Sequence, residues 1–232
     1  MDTGYNLMSA SLDGSIRQWT RDGKPVGKSW NSDGGGVTSV TLSPDGTMVA
    51  SGSMDSRLRL WSVKEGRVVG DPLEGHKDAV RCLDWSPNGL EIASGAQDGT
   101  VRRWNPDTGR QIEPTIETGH DWVFAIKYSP QSDKIAIGGD DSMIRVWSKD
   151  DGLCIEGHYG WVTSFCWSKD GAYIFSGSAD CTIRKWQLVD GKEVFVLRGH
   201  THPVRSICVS PDERHLVGAS EDYSVRIWEP QD

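Results

Sequence analysis

The chain has 232 residues, 36% hydrophobic and 25% charged, with 33 acids against 25 bases for a net charge of -8. That balance fits one large or two small globular domains rather than a disordered chain, and it offers no general surface for nucleic acid or anionic lipid. No stretch approaches the roughly 18 consecutive apolar residues of a membrane helix, and the opening MDTGYNLMSAS lacks the basic-then-apolar layout of a signal peptide.

In chain order the predicted elements are short strands divided by turn signals. Asn6 to Ser11 reads as a strand, followed by SIRQW ending at Trp19 and an outer strand around Trp30, which is expected at an edge or surface. The next stretch repeats the plan with a SPDG turn, the one after it with VRCLDW, SPNG, EIASGA, QDG and TVRRW. Six segments end alike: SLDGSIRQW at Trp19, SMDSRLRLW at Trp61, AQDGTVRRW at Trp104, GDDSMIRVW at Trp147, SADCTIRKW at Trp186 and SEDYSVRIW at Trp228. The Trp spacings are 42, 43, 43, 39 and 42, and an Asp stands six residues before each: Asp13, Asp55, Asp98, Asp141, Asp180 and Asp222. The units run approximately 1–31 (partial), 32–74, 75–118, 119–156, 157–198 and 199–232 (partial). A four-stranded sheet of such short strands leaves both faces wet, and stacking copies around an axis covers them, which is the logic of a β-propeller.

The five cysteines are odd in number and form no CxxC pair, so neither a disulfide framework nor a zinc knuckle is expected. Cys82, Cys166 and Cys208 lie in apolar runs and read as buried thiols of a reducing compartment.

These features together resemble the WD40 repeat family over essentially the whole length, and similar repeats occur in fungal WD40 repeat-like proteins. The residues that carry the likeness are the Gly-His pairs at His76, His120, His158 and His200, the SPDG-like turns, the SGSxD-like segments and the strand-ending Trp. The Trp-Asp dipeptide itself is absent. The resemblance implies an all-β WD40-type propeller of six recognisable blade units. It also implies a buried chain of His, Ser, Asp and Trp in each complete blade: His76, Ser94, Asp98 and Trp104, and again His158, Ser176, Asp180 and Trp186. A Ser/His/Asp triad would occur once and in a cleft, so repetition points to architecture, with no catalytic residue and no enzyme. Histidines about 40 residues apart on separate blades do not converge on a metal, and no cofactor is expected. Asp33 stands in the His position of the second unit, and Ile137 and Gly218 replace the Ser of the fourth and sixth. The units with full sets are expected to be the most rigid. His202 and His215 are read as exposed extras, and Trp85 and Trp167 as aromatics packed between blades.

Mapping the family's top-face contact positions gives a lopsided set. The partner-binding candidates are Trp122, Phe124 and Trp161, with Tyr159 and Asp140 beside them and Arg81 and Arg205 as further contacts. Exposed aromatics near a carboxylate suit a peptide or protein partner that offers a cationic side chain. The expected function is a non-catalytic interaction scaffold, cytoplasmic or nuclear, without nucleic-acid or membrane partners. The alternatives are the sensing part of a larger NACHT-type receptor, suggested by the linker GRVVGDPLEGH, or a substrate-recruiting subunit of a complex. Counting strands inward to outward gives incomplete first and last units and twenty-two strands in all. An open six-bladed ring or, preferably, a fragment of a larger propeller is therefore expected, with bare edges inviting self-association.

Overall fold

A computed structural model of the chain describes residues 7–148 and 152–229. Among these residues no helix occurs, and twenty-two strands form six antiparallel sheets. The chain divides into two compact units, with the boundary along the chain between Ile116 and Glu117. In the first unit the sheets are β1 (Leu7–Ala10), β2 (Ser15–Trp19), β3 (Pro25–Asn31); β4 (Val37–Leu42), β5 (Met48–Ser53), β6 (Leu58–Ser62), β7 (Arg67–Leu73); and β8 (Val80–Trp85), β9 (Ile92–Ala96), β10 (Thr100–Trp104), β11 (Gln111–Glu117). In the second they are β12 (Val123–Tyr128), β13 (Lys134–Gly139), β14 (Ile144–Ser148), β15 (Gly152–Ile155); β16 (Val162–Trp167), β17 (Tyr173–Ser178), β18 (Ile183–Gln187), β19 (Glu193–Leu197); and β20 (Val204–Val209), β21 (Leu216–Ser220), β22 (Val225–Trp228). The expected first strand is present from Leu7; Asn6 lies outside the described residues.

Each sheet is an up-and-down meander because its strands are joined by short polar turns. Between β4 and β5 the Asp45 carboxylate accepts the Ser43 hydroxyl at 2.6 Å and the Thr47 N–H at 3.0 Å, while Gly46 takes a φ of 72° that a side chain would resist. The innermost strands open on Val37, Val80, Val123, Val162 and Val204, all fully or nearly fully buried. Val80, Val162 and Val204 each settle against a glycine in the second strand of the preceding sheet. A Cβ on Gly52 would lie 2.6 Å from Val80 Cγ1, and one on Gly177 would lie 2.9 Å from Val204 Cγ1. Trp61, Trp104 and Trp186 are buried in the third strands. Each ring removes on the order of 200 Å² from water, roughly 5 kcal/mol of hydrophobic stabilisation before entropy is counted.

Trp85 and Trp167 sit in the cores of their units, and their indole N–H groups donate to the carbonyls of Gly89 and Lys127 at 3.1 and 3.2 Å. Trp30 departs from expectation: it is buried, and its ring stacks on Trp61 at 6.0 Å with 20° between planes. The end of β3 reaches over the next sheet, where Gly66 has no side chain to keep the indole away. Cys82 is buried as expected, but Cys166 is only half-buried and Cys208 is exposed. His202 is exposed but accepts or donates to the Thr201 hydroxyl at 3.1 Å, and His215 is half-buried with Glu229 3.9 Å away.

Candidate functional site

The repeated polar residues form closed chains. In the third sheet His76 Nδ1 lies 3.0 Å from the Asp98 carboxylate, and its Nε2 lies 2.7 Å from Ser94 Oγ. Trp104 Nε1 donates to that same Oγ at 2.8 Å. The carboxylate can only accept, so Nδ1 carries the proton toward it and the Ser hydroxyl faces a bare Nε2. The fifth sheet repeats the pattern: His158 Nδ1 to Asp180 at 2.8 Å, Nε2 to Ser176 at 2.7 Å, and Trp186 to Ser176 at 2.7 Å. Burial pushes the Asp98 carboxyl up, but hydrogen bonds from His76, the Lys77 N–H and Thr100 outweigh it and hold the group well below the usual carboxylate range. Asp180 is depressed in the same way against the same burial, by His158 and Thr182. Both histidines and both serines are buried.

The incomplete units close differently. Trp19 still donates to Ser9 at 2.8 Å and Trp61 to Ser51 at 2.8 Å. Asp33 does not replace a histidine: it is exposed, and Asp55 is gripped instead by Arg59, with contacts of 3.2 and 2.6 Å. The guanidinium fills the space that a longer side chain at Gly34 would need. In the sixth sheet His200 Nε2 donates to the Gly218 carbonyl at 3.2 Å, so a backbone oxygen stands in for the missing hydroxyl. The fourth sheet has Ile137 in the serine position. There His120 Nδ1 lies 2.6 Å from Asp141, which also binds Arg145 at 2.6 Å. Burial first, and the Arg145 charge with it, lowers the basicity of His120 despite Asp141 beside it.

The structure gathers the aromatic candidates. Phe124 stacks on Trp161 with ring centres 5.2 Å apart and 28° between planes, and Trp122 meets Phe124 edge-on at 6.0 Å and 84°. Trp122 is 42% exposed and Trp161 45%. Offset stacking and edge-to-face contact are the two arrangements that aromatic quadrupoles favour. Tyr159, on the same entry loop as Trp161, is 87% exposed, with the Arg184 guanidinium 5.5 Å from its ring centre. Beside it is a cavity of about 330 Å³ lined by residues that include Asp141, Met143, Glu156 and Tyr159. Asp140 accepts the backbone N–H groups of Asp121 and Trp122 at 3.1 and 3.2 Å, so its first task is to hold the Trp122 loop. Arg205 is exposed and ion-paired with Glu221, with Nε donating at 2.9 Å. Arg81 belongs to the other unit; it is half-buried, and its Nε has no hydrogen-bond partner among the described residues.

Two further top-face positions turn out to be structural. Thr163 Oγ1 donates to the Gly177 carbonyl at 3.0 Å and to the Val204 carbonyl at 2.5 Å, tying the fifth sheet to the sixth. Thr38 does the same toward Gly52 and Val80. Phe124 occupies the equivalent place and has no hydroxyl to donate, so its ring is free to lie on Trp161. The roles of Gly139, Arg59 and Arg145 were missed from sequence; Gly139 was visible as a glycine where other units have serine or alanine, whereas an arginine stands four residues after the turn Asp in all six units and singles out neither Arg59 nor Arg145. Among the described residues, no three His, Cys, Asp or Glu side chains are placed to hold a metal ion.

The family model described as WD domain, G-beta repeat, matches five successive segments: residues 23–62, 67–105, 113–148, 152–187 and 191–229. These segments cover most of the chain, each running from the last strand of one sheet through the first three strands of the next, so the protein belongs to the WD40 repeat family of β-propellers.

Proposed function

We propose that this protein is a non-catalytic interaction scaffold that binds a peptide or protein on the surface formed by Trp122, Phe124 and Trp161. The observation that carries this reading is the aromatic trio itself: two tryptophans nearly half exposed, with the Phe124 ring between them, stacked on Trp161 and edge-on to Trp122. Rigid aromatic rings at a partly desolvated surface lose little entropy on binding and are common anchors. The carboxylates of Asp121 and Asp140 beside them favour a partner that presents an arginine or lysine there. The Ser/His/Asp sets are buried and spent on blade architecture, which supports a binding role over a hydrolytic one. A cytoplasmic or nuclear location agrees with five free cysteines.

The test is affinity capture from the native source with the full chain and with a Trp122→Ala, Phe124→Ala, Trp161→Ala variant. The variant is expected to keep the wild-type thermal midpoint and to lose the captured partner by about tenfold or more. A collapse of the midpoint would assign the trio to blade packing, and undiminished capture would place the partner elsewhere.

Self-association is a second contact mode with its own observation. Val225 and Ile227 on β22 are 67% and 66% exposed, whereas the residues matching Val225 in the other five sheets (Ile16, Leu58, Val101, Ile144 and Ile183) are buried at 1% or less. Adjacent exposed aliphatics on an outermost strand are a ready contact for another chain.

A further inference from the structure

The entry loop of the fourth sheet is set differently from its counterparts. In the third, fifth and sixth sheets the amide that follows the histidine donates to the turn Asp: Lys77 to Asp98 at 2.8 Å, Tyr159 to Asp180 at 3.1 Å and Thr201 to Asp222 at 3.0 Å. In the fourth, the Asp121 and Trp122 amides instead reach Asp140, one residue earlier, and Asp141 is left to His120 and Arg145. A second link changes with it. The amides of Met54, Gln97, Ala179 and Glu221 donate to the carbonyl before the inner-strand valine at 2.8–3.0 Å. Among the described residues, Asp140 makes no such bond to Trp122.

Two sequence differences go with this: the entry loop is one residue shorter, with three steps from His120 to Val123 against four from His76 to Val80, His158 to Val162 and His200 to Val204, and the residue before Asp140 has no side chain. The position eight before the strand-ending Trp is Ser53, Ala96, Ser178 and Ser220 in the sheets with an entry loop, and Gly139 in the fourth. Those serines also donate to the entry loop; Ser178 reaches the Gly160 carbonyl at 2.9 Å and Ser220 the His202 carbonyl at 2.8 Å. At Gly139 the room for a Cβ is taken by the Trp122 carbonyl and the His120 ring, the latter at 2.5 Å. The loop has sunk onto the bare glycine.

We propose that Gly139 and Asp140 are the positioning residues of the aromatic surface: the missing side chain admits the loop, and the carboxylate holds it so that Trp122 stands edge-on against Phe124. Sequence differences at these two places thereby set the fourth sheet's half of the docking surface against Trp161 of the fifth, and the proposal rests on the reading of that surface given above. Asp140 acts here through its two backbone hydrogen bonds, and an asparagine oxygen can accept both. A serine at 139 is the residue that the second, fifth and sixth sheets carry at this place, and here its Cβ obliges the Trp122 carbonyl or the His120 ring to move.

The full chain labelled with 5-fluorotryptophan provides the test, with the Trp122 line in the fluorine spectrum assigned by Trp122→Phe. Gly139→Ser and Asp140→Ala are expected to move the Trp122 line by more than its width and to change its solvent isotope shift. The lines of Trp61 and Trp186 stay in place in both, and Asp140→Asn restores the wild-type Trp122 line. A Trp122 line unmoved in Gly139→Ser, or Asp140→Ala and Asp140→Asn behaving alike, overturns the proposal. The spectrum needs no partner, so a partner that ignores the aromatic trio would defeat the docking reading and leave the positioning result intact.

Discussion

At the scale of single residues, stability is concentrated in the polar chains. His76 connects Asp98 to Ser94 and through it to Trp104, all in the interior. His76→Leu leaves the Asp98 carboxylate short of its ring donor and Ser94 short of an acceptor, for an expected loss of about 3 kcal/mol in urea unfolding. Asp33→Ala, at the aligned position of the second sheet, is expected to fall within about 0.5 kcal/mol of wild type because Arg59 has taken over Asp55. The same contacts set the acid limit. Asp98 and Asp180 have folded-state values depressed below those of the unfolded chain, so the unfolded state binds protons first as the pH drops. Their contribution is full above about pH 4 and is lost as the pH falls from there through the depressed folded values. An acid titration followed by circular dichroism should show a shallow decline below about pH 6.5, where the unfolded chain protonates His120 before the folded one does, and a steep decline below about pH 4.

At the scale of elements, the repeat explains both what is covered and what is not. An inner strand that opens on valine seats on a glycine of the sheet before it, as Val204 does on Gly177 and Val162 on Gly138. The strand β22 carries Val225 at a position that other sheets bury, but nothing among the described residues covers it. A Val225→Glu, Ile227→Lys variant should reduce concentration-dependent self-association about tenfold in light scattering, since charges on an outer strand oppose pairing. Equal association of variant and wild type would mean that β22 takes no part.

At the scale of the whole molecule, the net charge of -8 acts on any partner that carries the opposite sign. If a cationic side chain seats beside Asp121 and Asp140, capture of the partner should weaken steadily between roughly 50 and 500 mM salt, as the screening length contracts from about 14 to 4 Å. Salt-independent capture would leave the aromatic contact in place and remove the cationic element. Much of this was legible beforehand. The strands and their count follow from spacing, because each blade repeats one local solution, and the His-Ser-Asp-Trp chains follow from the family likeness, since the residues of a chain lie in one sheet. Trp30 was not legible, since its burial depends on a glycine, Gly66, in the next sheet. Asp33 was misplaced for a related reason: alignment ranks residues by position, whereas the space around Asp55 was filled by the longer reach of Arg59.

The sequence by itself therefore determined the architecture of this protein, through a period of about 42 residues and a polar signature that only a stack of similar sheets can satisfy. Tertiary structure alone decided which top-face residues are free to meet a partner. Thr163 and Phe124 hold equivalent places in the repeat, yet the first is spent on the Val204 carbonyl and the second lies against Trp161. That difference arises between sheets, where a hydroxyl finds an acceptor or a ring finds a ring, and spacing along the chain does not encode what stands across the gap.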